Sequence, residues 1–159
     1  TPEFLGRKIE AKEMKIIAIT ILIHPLIILA PSAIALATEM GSSAISNSGF
    51  HGITQVVYEF TSSAANNGSG FEGLGDNTPF WNISTGLVML FGRYFSMIAM
   101  LAVAGSLLSK KPVPETIGTF KSDNITFIVL LMTTVLIVGA LTFFPVITLG
   151  PIAEYLSIR

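Results

Sequence analysis

The sequence predicts an all-α membrane protein: helix, re-entrant loop, helix, then one further transmembrane helix. Three observations carry this reading. Of 159 residues, 51% are hydrophobic and 12% charged, against about 25% charged in an ordinary soluble domain. With a mean hydropathy of +0.71, the chain cannot cover a globule with a solvated surface, and lipid is its natural solvent. Three apolar runs, 16–37, 83–108 and 125–149, each exceed the roughly 20 residues needed to cross a bilayer at about 1.5 Å per residue. The connections between them alternate between lysine-rich and lysine-free.

Segment 1–15 carries Arg7, Lys8, Lys12 and Lys15, and 109–124 carries Lys110, Lys111 and Lys121. Segment 38–82 has no Lys or Arg, only Glu39, Glu59, Glu72 and Asp76. The positive-inside bias makes 1–15 a cytoplasmic connector and 109–124 a cytoplasmic loop, with 38–82 and the tail 150–159 outside. Pro25 and Pro31 in the first span and Pro145 in the third predict kinks rather than breaks. The opening Thr1-Pro2-Glu3-Phe4 has no initiator Met, n-region or cleavage site, so the chain reads as the interior of a longer protein. There is no cysteine, which excludes disulfides and thiolate metal sites. A net charge of −1 offers no field for nucleic acid.

Within 38–82, Phe50, Ile53, Val56, Val57 and Phe60 recur at helical spacing, with His51, Thr54, Gln55, Tyr58 and Glu59 on the other side. A helix over 50–62 is about 20 Å long, too short to cross. The pattern fits a re-entrant helix and a surface-lying amphipathic helix equally. Thr61 to Gly70 then runs without one large side chain. Asn66, Asn67 and Gly68 adopt left-handed backbone cheaply, which is what turning successive carbonyls toward a potassium ion requires. The short helix would aim its partly negative C-terminal end at that cation. Composition alone favours a flexible turn.

The run from Gly49-Phe50-His51-Gly52 through Ser62-Ser63-Ala64-Ala65-Asn66-Asn67-Gly68-Ser69 closely resembles the fourth pore segment of the potassium-transporting ATPase A chain family. The likeness continues through Pro79-Phe80-Trp81-Asn82 and Phe91-Gly92-Arg93-Tyr94 to the C-terminus, and Thr1 to Gly6 resembles the connector before that family's last repeat. The resemblance implies one pore built from four helix–pore loop–helix repeats in a longer chain, in the plasma membrane of a prokaryote. It implies a filter loop at about 63–70, with potassium held by the backbone of Asn66, Asn67 and Gly68, and Gly68 as the filter glycine. It implies a non-catalytic subunit that passes potassium while a partner P-type ATPase subunit hydrolyses ATP, with small accessory subunits completing the pump. This chain holds one repeat and one extra helix, a quarter of such a filter. The alternative is a passive channel or ion-coupled potassium transporter of the same superfamily.

Other residues divide between function and structure. Arg93 lies within the second span, where a charge is costly; it reads as a gate or cation barrier below the filter, against a paired arginine holding helices together. His24 reads as a buried hydrogen-bonding histidine, and His51 as a cap or packing residue. Glu59, Glu72 and Asp76 either concentrate cations at the mouth or are merely solvated. Met97 and Met100 are core or lipid-facing filler. No phosphate-cradling motif, aspartyl-phosphate loop or Gly-x-Ser-x-Gly elbow is present, which argues against an enzyme.

The charge pattern makes a testable statement about sidedness. Cysteines introduced at Ser46 and Ser109 of this cysteine-free sequence should react differently with a membrane-impermeant reagent in intact cells. Ser46 is expected to be labelled and Ser109 protected; the reverse would invert the topology.

Overall fold

The computed structural model describes residues 3–114, 116, 118, 120 and 122–158. Thr1 and Pro2 of the connector, Lys121 and the last residue of the tail lie outside the described residues. A short hairpin, β1 (Glu3–Phe4) and β2 (Arg7–Lys8), precedes five helices: α1 Ala11–Ala37, α2 Glu39–Ser42, α3 His51–Ala65, α4 Pro79–Leu108 and α5 Ile125–Ser157. Helices α1, α4 and α5 are long and apolar enough to cross a membrane.

The helices outrun the apolar stretches because capping, not hydropathy, decides where they begin. Glu13 Oε2 accepts from the Glu10 N–H at 2.9 Å, so α1 starts at Ala11 and takes in Lys12 and Lys15. Thr78 caps α4 with Pro79 at its first position, and the Asn124 side chain accepts from the Phe127 N–H to cap α5. Pro25, Pro31, Pro145 and Pro151 all sit inside continuous helices. The expected tail 150–159 is in fact the last turns of α5, through Ser157.

Helix α3 lies wedged between α1 and α4. Ile28 and Ala35 of α1, Val56, Val57, Phe60 and Ala64 of α3, and Trp81 and Val88 of α4 form one buried cluster with Leu74. At one end Trp81 is wholly buried, stacks on Phe60 with ring centroids 5.1 Å apart, and donates from Nε1 to the Gly41 carbonyl at 3.2 Å. Gly41 in turn rests on the backbone of Ala35, with no room for a side chain. Gln55, fully buried on α3, accepts from the N–H groups of Ser46 and Asn47, both at 3.2 Å, and donates to Ser46 Oγ at 2.9 Å. That side chain stitches the incoming loop to the helix it enters.

The opposite end is fastened by charge. Leu5 (φ 51°) and Gly6 (φ 71°) turn the hairpin through two left-handed residues. The Gly6 carbonyl accepts from Val113 N–H at 2.9 Å, and Arg7 Nε donates to the Lys110 carbonyl at 3.1 Å. Lys110 Nζ reaches Glu13 at 2.7 Å, Glu10 at 2.9 Å and the Lys8 carbonyl at 3.1 Å, while Ser106 donates to the second Glu13 oxygen. The bond to Glu13 holds the Lys110 ammonium above its ordinary value. A lysine read from sequence as a sidedness marker is thus also the pin joining the start of α1 to the end of α4.

Helix α5 touches the rest mainly through α3. Gly150 packs against the Phe50 carbonyl and His51 Nε2 lies 3.0 Å from Glu154. The C-terminal end of α5 is therefore at the same end of the bundle as the start of α3, as three alternating crossings require.

The tightest contact positions the loop that follows α3. A Cβ on Gly92 would fall on the Ala64 carbonyl, so the C-terminal end of α3 lies directly against the middle of α4. Close backbone approach of this kind holds helices together in lipid, where hydrophobic burial between them gains little. Gly92→Ala should cost about 1–3 kcal/mol by forcing the helices apart. Gly105→Ala, where an added methyl meets nothing, should be milder; equal thermal stability of the two purified variants would show the contact to be slack.

Candidate cation-binding loop

Met89 and Gly92 lie about 15–20 Å along α4 from Pro79 at about 1.5 Å per residue. Ala64 abuts Gly92, and the Asn66 amide donates to the Met89 carbonyl at 3.1 Å. Helix α3 thus descends between α1 and α4 to nearly half their depth before the chain turns back. A helix lying along the end of the bundle could not make these contacts.

The turn begins in a helix stop. Asn66 is left-handed (φ 54°, ψ 37°), its N–H bonds the Ser63 carbonyl at 3.1 Å, and the Asn67 N–H bonds the Ser62 carbonyl at 3.4 Å. This is a Schellman closure with asparagine in place of glycine. It moves the expected loop boundary, since Ser63, Ala64 and Ala65 belong to α3. Beyond it φ is positive at every second residue: Asn66, Gly68 (70°) and Gly70 (51°). Alternation of this kind turns successive peptide units so that like groups face one way.

Hydrogen bonding reports the outcome. The N–H of Ser69 donates to Asn67 Oδ1 at 3.0 Å, that of Gly70 to Ser62 Oγ at 2.9 Å, and that of Phe71 to Glu59 Oε2 at 2.8 Å. Ser62 Oγ itself donates to Asn67 Oδ1 at 2.8 Å, and Tyr58 donates to Ser69 Oγ at 3.2 Å. Two successive amides, those of Gly70 and Phe71, are thus taken up by α3 side chains, and that of Ser69 by Asn67, itself bonded to Ser62. The carbonyls of 66–70 accept no hydrogen bond from any described residue. Asn67, Gly68 and Ser69 are exposed, and a Cβ on Gly68 would meet nothing, so this chain leaves that side of the loop open. Asn66, Asn67 and Gly68 are therefore brought together with oxygens free.

Two residues placed by periodicity on the polar face of the short helix are buried, Gln55 wholly and Glu59 to 8% exposure. Glu59 is not a solvated mouth residue, because its carboxyl group holds a loop amide. Glu72 and Asp76 are exposed. No period in the sequence distinguishes a polar side chain that faces water from one that faces unpaired backbone.

Arg93 sits one turn beyond Met89 on the same face of α4, below the loop. It is exposed and makes no ion pair among the described residues. The helices do contain acids near their ends, but Glu13 is held by Lys110 and Glu154 by His51. His24, half-buried, lies 3.2 Å from Ser96 Oγ and ties α1 to α4. Met97 and Met100 are exposed along α4.

The family model described as the potassium-transporting ATPase A subunit matches residues 1–156. The chain is 77% identical over its whole length to the potassium-transporting ATPase potassium-binding subunit of Geobacillus kaustophilus (strain HTA426). It spans 28% of the length of that relative.

Proposed function

The chain belongs to the potassium-transporting ATPase A subunit family, and from that premise we propose that it supplies one quarter of a potassium-selective filter in an ATP-driven uptake pump. The observation that carries the reading is the loop 66–70, where the Asn66, Asn67 and Gly70 amides bond to α3 and that of Ser69 to the Asn67 side chain, while the carbonyls accept no hydrogen bond from any described residue. Carbonyl oxygens in such a row replace the hydration shell of a potassium ion. The C-terminal end of α3 adds its partial negative charge beneath them. Asn66, Asn67 and Gly68 are the coordinating backbone, and the other three quarters come from the rest of a longer chain.

The subunit performs no chemistry in this reading. ATP hydrolysis resides on a P-type ATPase catalytic subunit, with small accessory subunits beside it, in the plasma membrane of a prokaryote. The lysine-rich ends face the cytoplasm and the loop 38–82 faces outward, so potassium enters from outside. Arg93 stands below the filter as a barrier to leak. An intramembrane arginine costs about 2.5–3.5 kcal/mol on insertion scales, and this one lacks an acidic partner among the described residues. Its charge opposes a cation leaving the filter downward.

Two measurements on the full-length subunit in its assembled complex test this. Gly68→Asp puts a side chain on a left-handed residue beside the carbonyl row; apparent potassium affinity should fall tenfold or more, about 1.4 kcal/mol, with discrimination against sodium and rubidium weakened. Unchanged affinity and discrimination in a well-expressed complex would remove the filter assignment. Arg93→Met should leave potassium binding near normal but uncouple uptake from potassium-stimulated ATP hydrolysis in reconstituted vesicles, with Arg93→Lys milder. Wild-type coupling and leak with Met would reduce Arg93 to a structural anchor.

A further inference from the structure

Potassium selectivity depends on carbonyls kept at a set spacing, and something must hold the strand that bears them. Among the described residues the Gly70 and Phe71 amides of the outgoing arm have no backbone partner. They bond instead to Ser62 Oγ at 2.9 Å and Glu59 Oε2 at 2.8 Å. Ser62 and Glu59 are three residues apart, hence neighbours on one face of α3. Both are buried, at 4% and 8% exposure. Gly70 is left-handed, and a Cβ there would stand 3.3 Å from Glu59 Oε2, so the arm lies close against the acid. Ser62 also reaches the near arm through Asn67 Oδ1. One serine therefore spans both arms, and one acid clips the outer end.

We propose that Ser62 and Glu59 are positioning residues that set the ion discrimination of the filter, by fixing the Gly70 and Phe71 amides on α3 and thereby the direction of the carbonyls between Asn66 and Gly70. The inference rests on the filter reading above. It makes Glu59 act as a hydrogen-bond acceptor at a fixed place rather than as a charge attracting cations from the mouth. A buried amide whose acceptor is removed is left unpaired unless the loop moves, and movement of the loop is movement of the carbonyls.

The test is potassium uptake competed by sodium and rubidium, in vesicles carrying the full-length subunit within its complex, normalised to assembled complex. Glu59→Leu and Ser62→Ala should each lower potassium-over-sodium discrimination about tenfold, as loss of one buried acceptor predicts. Glu59→Gln, whose amide oxygen accepts the same bond, should retain most of it. Ser62→Ala adds no volume to the core, so it keeps the test readable if Glu59→Leu fails to assemble. Wild-type discrimination in Ser62→Ala or Glu59→Leu overturns the brace, and so does a Gln variant as impaired as Leu, which would make the charge the active feature. Gly68→Asp run in parallel separates the two ideas. If it destroys discrimination while the Ser62 and Glu59 variants do not, the brace alone falls; if it too leaves discrimination intact, the filter reading falls with it.

Discussion

A backbone that leaves helical geometry at bilayer depth must have its amides and carbonyls answered, because hydrocarbon offers them nothing. Everything around the loop 66–71 follows from that constraint. Its first amides, at Asn66 and Asn67, fold back on the end of α3 in a helix stop. Its later ones, at Ser69, Gly70 and Phe71, go to side chains of Asn67, Ser62 and Glu59. Small and polar residues are needed here for that reason: serine, asparagine and glutamate serve as substitutes for the neighbouring strand that a sheet would provide. With most of these amides bonded, the carbonyls of 66–70 accept no hydrogen bond from any described residue.

The same constraint explains why the helices approach so closely around α3. A short helix buried at this depth cannot be held by hydrophobic burial against lipid, so contact has to come from interlocking surfaces. Gly92 against Ala64 and Gly41 against Ala35 remove side chains where two backbones meet. Trp81 fills the wider gap near the start of α4 and bonds Gly41 with its indole N–H. The far end needs no such interlock, because the buried Glu13 and the half-buried Lys110 hold α1, α4 and the hairpin in one cluster.

Hydropathy made the three crossings legible, whereas the loop around Asn66-Asn67-Gly68 was legible through the family resemblance, since its composition alone favours a flexible turn. Element ends were less so: the first crossing was read from residue 16, but Glu13 caps from within and carries α1 back to Ala11. Least legible was the environment of Gln55 and Glu59. Amphipathic periodicity assumes that the polar face meets water, and here it meets unpaired backbone amides inside the protein. Only coordinates reveal that substitution of backbone for solvent, because both environments ask for the same side chains.

What this chain leaves unanswered gathers on one side. The carbonyls of 66–70 and Arg93, without a bonding partner among the described residues, are linked through the Asn66–Met89 bond and the single turn of α4 between Met89 and Arg93. A charge and a row of dipoles exposed on one face would be intolerable toward lipid. They are tolerable toward water, a cation or other polar protein surface. The sign is informative as well: carbonyl oxygens present negative ends where a cation would sit, and one turn deeper the guanidinium presents positive charge. In the function proposed above, a cation held at the loop would meet the positive charge of Arg93 one turn deeper along α4.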